Sequence, residues 1–205
     1  MSASSQTITA QVARRIIRLQ ILTIVWMIAE AVVSLSAAWM ARSPALLGFG
    51  GDSAIELLSA VVVLRRFNVS SRGAHAEERA AKIAGGLLFA LATFVMLASI
   101  LSLIGRVEPL PNPVGIAVLA IAAIAMPILA QQKRRLSAAT GSPALRADAA
   151  ESAVCGYLAW IALTGLIVNA IWGIRWADPV AALALLPLIL REGREALEGK
   201  PCCDC

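Results

Sequence analysis

Asp52 and Glu56 stand four residues apart; far downstream Glu151 and Cys155 are also four apart, and Asp148 precedes Glu151 by three. Side chains three or four positions apart share one face of a helix. The spacing therefore draws two acids into one stripe and two acids plus a thiol into another. Carboxylates and thiolates are donors for divalent cations: zinc takes both, at roughly 2.0–2.3 Å in tetrahedral sets. One sulfur among oxygens leaves cadmium, cobalt, iron and manganese open as well, because donor type only biases the choice of metal. Brought face to face, the two stripes are a candidate site for one ion.

The elements that carry these residues are apolar. Of 205 residues 59% are hydrophobic and only 15% charged, against about 45–50% and about 25% in ordinary soluble domains. A soluble enzyme is excluded on that ground. Stretches free of Lys and Arg run 19–41, 43–64, 83–105, 107–132, 147–174 and 176–190. A membrane-crossing helix needs about 20 mainly apolar residues, so five stretches suffice outright. The last reaches only ~22 Å and spans if Arg191 and Arg194 extend their stems into the headgroup layer. The expected fold is an all-α membrane protein of six transmembrane helices, with a tail over 1–14, a helical domain over 15–198 and a cysteine-rich tail over 199–205. Four acids in two spans are costly facing lipid, at about 2.5–3.5 kcal/mol each on insertion scales. Asp52, Glu56, Asp148 and Glu151 must face one another or water.

Charge placement sets the orientation. With a cytoplasmic N-terminus, fifteen of the eighteen Lys and Arg residues fall on the cytoplasmic side, Lys133 among them, and only Arg42, Arg106 and Arg175 fall outside, as positive-inside insertion requires. Both termini are then cytoplasmic, and Trp39, Trp172 and Trp176 fall at the outer boundary, where indoles settle. The net charge of +5 follows from topology, and no basic patch interleaved with aromatics points to nucleic acid. The basic stretch before the first apolar run reads as the start of a span, since no early small-residue cleavage site follows it. Cys202, Cys203 and Cys205 lie on the reducing side, as free thiols or metal ligands. Together with Asp204 they could bind a soft cation and deliver it, or mark a lipidated or disordered end. The excess of Arg over Lys and the abundant Ala fit a GC-rich bacterial genome, hence an inner membrane.

The halves repeat. Ser43-Pro-Ala-Leu-Leu opens the second span and Ser142-Pro-Ala-Leu-Arg the fifth. Counting from each serine, the ninth residue onward is Asp52 or Glu151 and the thirteenth is Glu56 or Cys155. The two spans enter from opposite sides, so three-helix halves are expected to be inverted about an in-plane axis, with the site near the midplane as in many secondary transporters.

The stretch GFGGDSAIELLSAVVVL (48–64), ADAAES around Asp148 and WADPVAALAL opening the sixth span resemble the cation diffusion facilitator family, specifically a short subgroup without the C-terminal cytoplasmic domain. In that family a pair of His/Asp-x-x-x-Asp motifs on spans two and five holds the transported metal. The resemblance assigns these roles to Asp52 and Glu56 and to Glu151 and Cys155, with Cys155 standing where the family has an acid. It implies export of zinc or a related divalent metal from the cytoplasm, coupled to inward proton movement, by a transporter rather than an enzyme. Metal ligands bind deprotonated, so loading releases protons and protonation ejects the ion. The expected partners are metal cations, protons, the lipid bilayer and a second copy in a homodimer; no tightly bound cofactor is expected. A non-transporting membrane metal-binding or regulatory protein is the alternative; a thiol redox enzyme lacks a CxxC pair, and no nucleotide-binding loop is present.

Other polar residues have plainer readings. Glu30, in the first span, is either a third-helix contributor to the cation path or a carboxyl bonded to a neighbouring helix. Asp178 before Pro179 has the pattern of an N-cap. His75, Glu77 and Glu78 read as solvated loop residues, Gly85, Gly86 and Gly165 as sites of close helix approach, Pro127 and Pro187 as kinks, and Asn169 as an interhelical hydrogen-bonding residue.

Overall fold

The computed structural model describes residues 10–68, 74–140 and 143–198. Among them the regular structure is entirely helical: α1 (Ala10–Ala41), α2 (Pro44–Asn68), α3 (Ala74–Leu103), α4 (Pro113–Thr140), α5 (Pro143–Trp172) and α6 (Ala177–Glu198). Local chemistry punctuates them. Ser43 Oγ accepts the Leu46 amide at 3.1 Å just ahead of Pro44, an N-cap followed by proline at the first helical position. Asn112 repeats this before Pro113, its Oδ1 accepting the Gly115 amide at 2.9 Å. At their far ends α1, α3 and α5 run into residues of positive φ, Arg42 at 51°, Gly105 at 75° and Gly173 at 65°. Such left-handed residues turn the chain so that outlying amides satisfy the last carbonyls; Ser43 N donates to Ala38 O at 3.1 Å and Arg106 N to Leu101 O at 2.9 Å.

The segment between α3 and α4 is fastened to the ends of α1 and α5. Leu110 N donates to Ala41 O at 2.8 Å, Asn169 Nδ2 to Pro109 O at 3.4 Å, and Glu108 takes the Arg175 guanidinium. The C-terminal ends of α1, α3 and α5 therefore share one face of the bundle. Asn169 reaches this loop instead of a neighbouring helix.

In the bundle α1 lies on α2, α4 on α5 and α3 on α6, while α2 and α5 meet at the centre. Exchanging the first three helices for the last three carries the α1–α2 pair onto α4–α5 and α2–α3 onto α5–α6, and returns the pairs α1–α4, α2–α5 and α3–α6 to themselves. Small residues permit the close approaches. A Cβ on Gly50 would stand 2.8 Å from Ser34 Cβ, and one on Gly51 would stand 2.5 Å from Leu91 Cδ1, so these two glycines press α2 between α1 and α3 immediately before Asp52. Gly85 and Gly165 act likewise, against Gly193 O and Ala181, whereas Gly86 faces open space. Pro127 and Pro187 both lie inside helices, and Pro127 seats its ring on Gly156.

Phe49, Leu46, Leu119, Met126, Leu158 and Leu185 fill the core. The outside is just as apolar: Leu22, Val25 and Val32 on α1, Phe94 and Leu97 on α3, and Ile121, Ile124 and Ile128 on α4 are all exposed. A monomer in water does not present so much contiguous apolar surface; facing acyl chains, it costs nothing. By length and composition four helices can cross a membrane, over Arg14–Ala41, Lys82–Leu103, Pro113–Thr140 and Asp148–Trp172. The chain is a multi-pass membrane protein. Helix α6 falls outside that set because it carries Asp178, Arg191, Glu192, Arg194 and Glu195 within its 22 residues.

Candidate metal centre

Helix α2 places Asp52 and Glu56 one turn apart, and both are buried, as is Cys155 of α5. One donor atom from each of these three residues lies within 4.8 Å of the other two. Among the described residues neither oxygen of Asp52, at 0% exposure, makes a hydrogen bond, nor does Glu56 Oε1. The neighbours add to the negative charge: Glu192 of α6 lies beside Asp52, and Glu151 is close enough to act on Glu56. Buried polar atoms are normally satisfied, and an unpaired buried carboxylate is among the costliest groups a fold can hold. Mutually repelling acids with three oxygens unbonded among the described residues form a site that a divalent cation would complete.

Beneath this group is a bonded shelf. Glu30 of α1, 1% exposed, presents Oε1 to Ser53 Oγ at 2.8 Å and to the Cys155 thiol at 3.5 Å. Ser53 shares its hydrogen with the Phe49 carbonyl at 3.0 Å and lies 3.9 Å from Cys155 Sγ. Glu30 is thus bonded to a neighbouring helix, as one of its two readings held, and it also touches the sulfur of the candidate centre.

Asp148 does not join the three. Its Oδ1 pairs with Lys133 Nζ of α4 at 2.9 Å. That ammonium also donates to Ser152 Oγ at 2.9 Å, and Ser152 donates to the Asp148 carbonyl at 3.0 Å. Seven residues separate Asp148 from Cys155, a rise of about 10 Å along the helix. Glu151 is one turn from Cys155, half-buried, with Asp148 and Lys133 as its charged neighbours. Asp178 serves α2 rather than its own helix: its Oδ2 accepts from Ser43 Oγ at 2.5 Å and its Oδ1 from Ala45 N at 3.1 Å. The candidate tail ligands Cys202, Cys203 and Cys205 lie outside the described residues, as do the side chains of His75, Glu77 and Glu78.

Four participants escape a reading of the sequence. Ser53 hides inside the acidic motif, Ser152 inside its counterpart, and Lys133 begins a Lys-Arg-Arg run that reads as a headgroup anchor. Glu192 sits in a charged stretch whose Arg191 and Glu195 pair with each other at 2.8 Å. The one available signal is periodicity: Glu192 is the lone acid of its helix three residues past the buried Ile189.

A family model for the cation efflux transmembrane domain matches residues 20–198. No curated protein matches the chain. The match covers most of the sequence, so the chain belongs to the cation efflux family, whose transmembrane domain transports metal cations.

Proposed function

We propose, from that membership, that the protein is a divalent metal exporter that binds its ion between α2 and α5 through Asp52, Glu56 and Cys155. One observation carries the reading: three buried donors from two helices converge within 4.8 Å, and among the described residues neither Asp52 oxygen nor Glu56 Oε1 has a hydrogen-bond partner. Around an ion the edges of a tetrahedral set shrink to about 3.3–3.5 Å for bonds of roughly 2.0–2.3 Å, which the cluster reaches by small side-chain movements. Oxygen and sulfur together fit zinc, and cadmium or cobalt equally.

Glu151 and Asp148 mark the approach, one and two turns from Cys155 toward the cytoplasm. All six helices cross the membrane as two inverted halves, with both termini cytoplasmic. The shared face at the ends of α1, α3 and α5 supports this, as do the near-symmetric pairing of helices and the exposed Trp39 (88%), Trp172 and Trp176 at that face. Transport is proton-coupled, since deprotonated ligands must form for metal to load and protons returning from the other side displace it. The domain organisation is the helical unit over 15–198 between two short tails.

Zinc uptake into proteoliposomes tests the proposal. Uptake is expected from the purified full chain, faster with an acid lumen than without a gradient, and lost in Asp52→Ala; undiminished flux in that variant overturns the assignment.

A further inference from the structure

Helices α1 and α3 both pack on α2. Where α1 and α3 end, they part over the start of α2 and leave an open groove of about 650 Å³, within the range of roughly 300–1,000 Å³ that ligand sites occupy. Leu35, Leu47, Phe94, Ala98 and Leu101 line its length, and Trp39 and Arg42 its mouth. Leu35 lies two turns of α1 before Arg42, a rise of about 10 Å. The groove therefore descends from the level where indoles meet headgroups into the hydrocarbon, and acyl chains, not water, meet its walls.

The mouth is positive and has no acid to spare. Arg42 is exposed and makes no ion pair among the described residues. The two acids at that end of the bundle are taken: Glu108 by Arg175, and Asp178 by Ser43 and the Ala45 amide. Arg106 adds a second cation, adjacent in sequence to Val107, which also lines the groove. Arg42 moreover closes α1 at a φ of 51°, a left-handed position where helices ordinarily place glycine or asparagine and an L side chain is disfavoured. The fold accepts that conformation with a guanidinium in place, aimed at the mouth.

We propose that this groove binds one anionic phospholipid, its phosphate on Arg42 and an acyl chain laid along Leu35, Leu47, Phe94 and Leu101. The guanidinium fork matches two phosphate oxygens at once. With no uncommitted carboxylate at the mouth to receive an ammonium headgroup, a net negative headgroup is favoured over a zwitterionic one. A second copy of the chain fits less well, because its own Glu108 and Asp178 are equally committed and it brings no acid to Arg42. The lipid joins α1 to α3 across α2.

The test uses the full chain in detergent, stripped of lipid and followed by native mass spectrometry as dioleoyl phosphatidylglycerol or dioleoyl phosphatidylcholine is added. The first phosphatidylglycerol is expected to bind about tenfold more tightly than the first phosphatidylcholine. Arg42→Gly removes the guanidinium and relieves the left-handed residue, so the two lipids are expected to bind within about twofold of each other while the lipid-free melting temperature stays level or rises. Ala98→Trp fills the groove and is expected to weaken the first phosphatidylglycerol about tenfold. Equal affinity of the parent for the two lipids overturns the proposal. So does a preference that survives in Arg42→Gly, which decides the matter alone if Ala98→Trp does not fold. Displacement of the bound lipid by excess inorganic phosphate would reduce the site to an anion site without an acyl groove, and a dimer that Ala98→Trp splits while lipid binding is unchanged would give the groove to a second copy; either result overturns it.

Discussion

Asp52 and Asp148 are both buried aspartates in the interior of one helical bundle, and the structure treats them in opposite ways. Asp148 Oδ1 has Lys133 and, through it, Ser152, in a network whose lysine is fully buried, and only Asp148 Oδ2 goes unbonded among the described residues. Asp52 has no basic or amide partner among the described residues, and its near neighbours are further acids, Glu192 beside it. Asp178 sides with Asp148, closed by Ser43 and the Ala45 amide. A buried acid with its partners in place has a structural role, and removing one partner leaves an uncompensated charge. A buried acid without partners weakens the fold, so its retention asks for a ligand that comes and goes. The contrast separates acids closed by partners from those that the proposed site would leave open for a cation.

The largest expected effect breaks the open region. Asp52→Ala should reduce zinc flux in proteoliposomes by a hundredfold or more, while the melting temperature in detergent stays level or rises, because the variant removes a repelling acid and strands no donor. Lys133→Ala inverts that pattern. It leaves Asp148 buried and unpaired, at a cost of about 3 kcal/mol, seen as a lowered melting temperature that Lys133→Ala combined with Asp148→Ala largely restores. Cys155→Ser sharpens the chemistry of the open region: replacing sulfur by oxygen should weaken cadmium binding about tenfold and manganese binding little, as read by competition with a chelator. The smallest effect belongs to the other closed acid. Asp178→Asn keeps one acceptor oxygen for the Ala45 amide and turns its NH2 toward Ser43 Oγ, which can accept, so it should cost about 1 kcal/mol in unfolding experiments and leave saturated flux unchanged.

Much of the bundle was legible because apolar length and punctuation are local properties. The opening of α2 at Ser43-Pro44, the apolar run ending at Ala41, and the shared faces of Asp52 with Glu56 and of Glu151 with Cys155 follow from spacing. Which way a helix faces depends on its neighbours, and there the sequence is silent. Lys133 next to Arg134 and Arg135 looks like a surface cation, yet α4 turns it inward onto Asp148. Asp178 carries the signature of a cap for its own helix and caps α2 instead, since Ser43 and Ala45 arrive at the same corner. Gly85 and Gly86 are equivalent in sequence, and only Gly85 meets another helix. The carboxylates of α5 look interchangeable by spacing, but the helical rise separates Asp148 from Cys155 by about 10 Å.

The central claim, that Asp52, Glu56 and Cys155 together bind a divalent ion, is tested most directly by titrating cobalt into the detergent-solubilised chain with its three tail cysteines changed to serine. A sulfur-to-cobalt charge-transfer absorption should grow to a single equivalent and vanish in both Cys155→Ser and Asp52→Ala. Its absence from the parent, or its survival in Cys155→Ser, would contradict the claim.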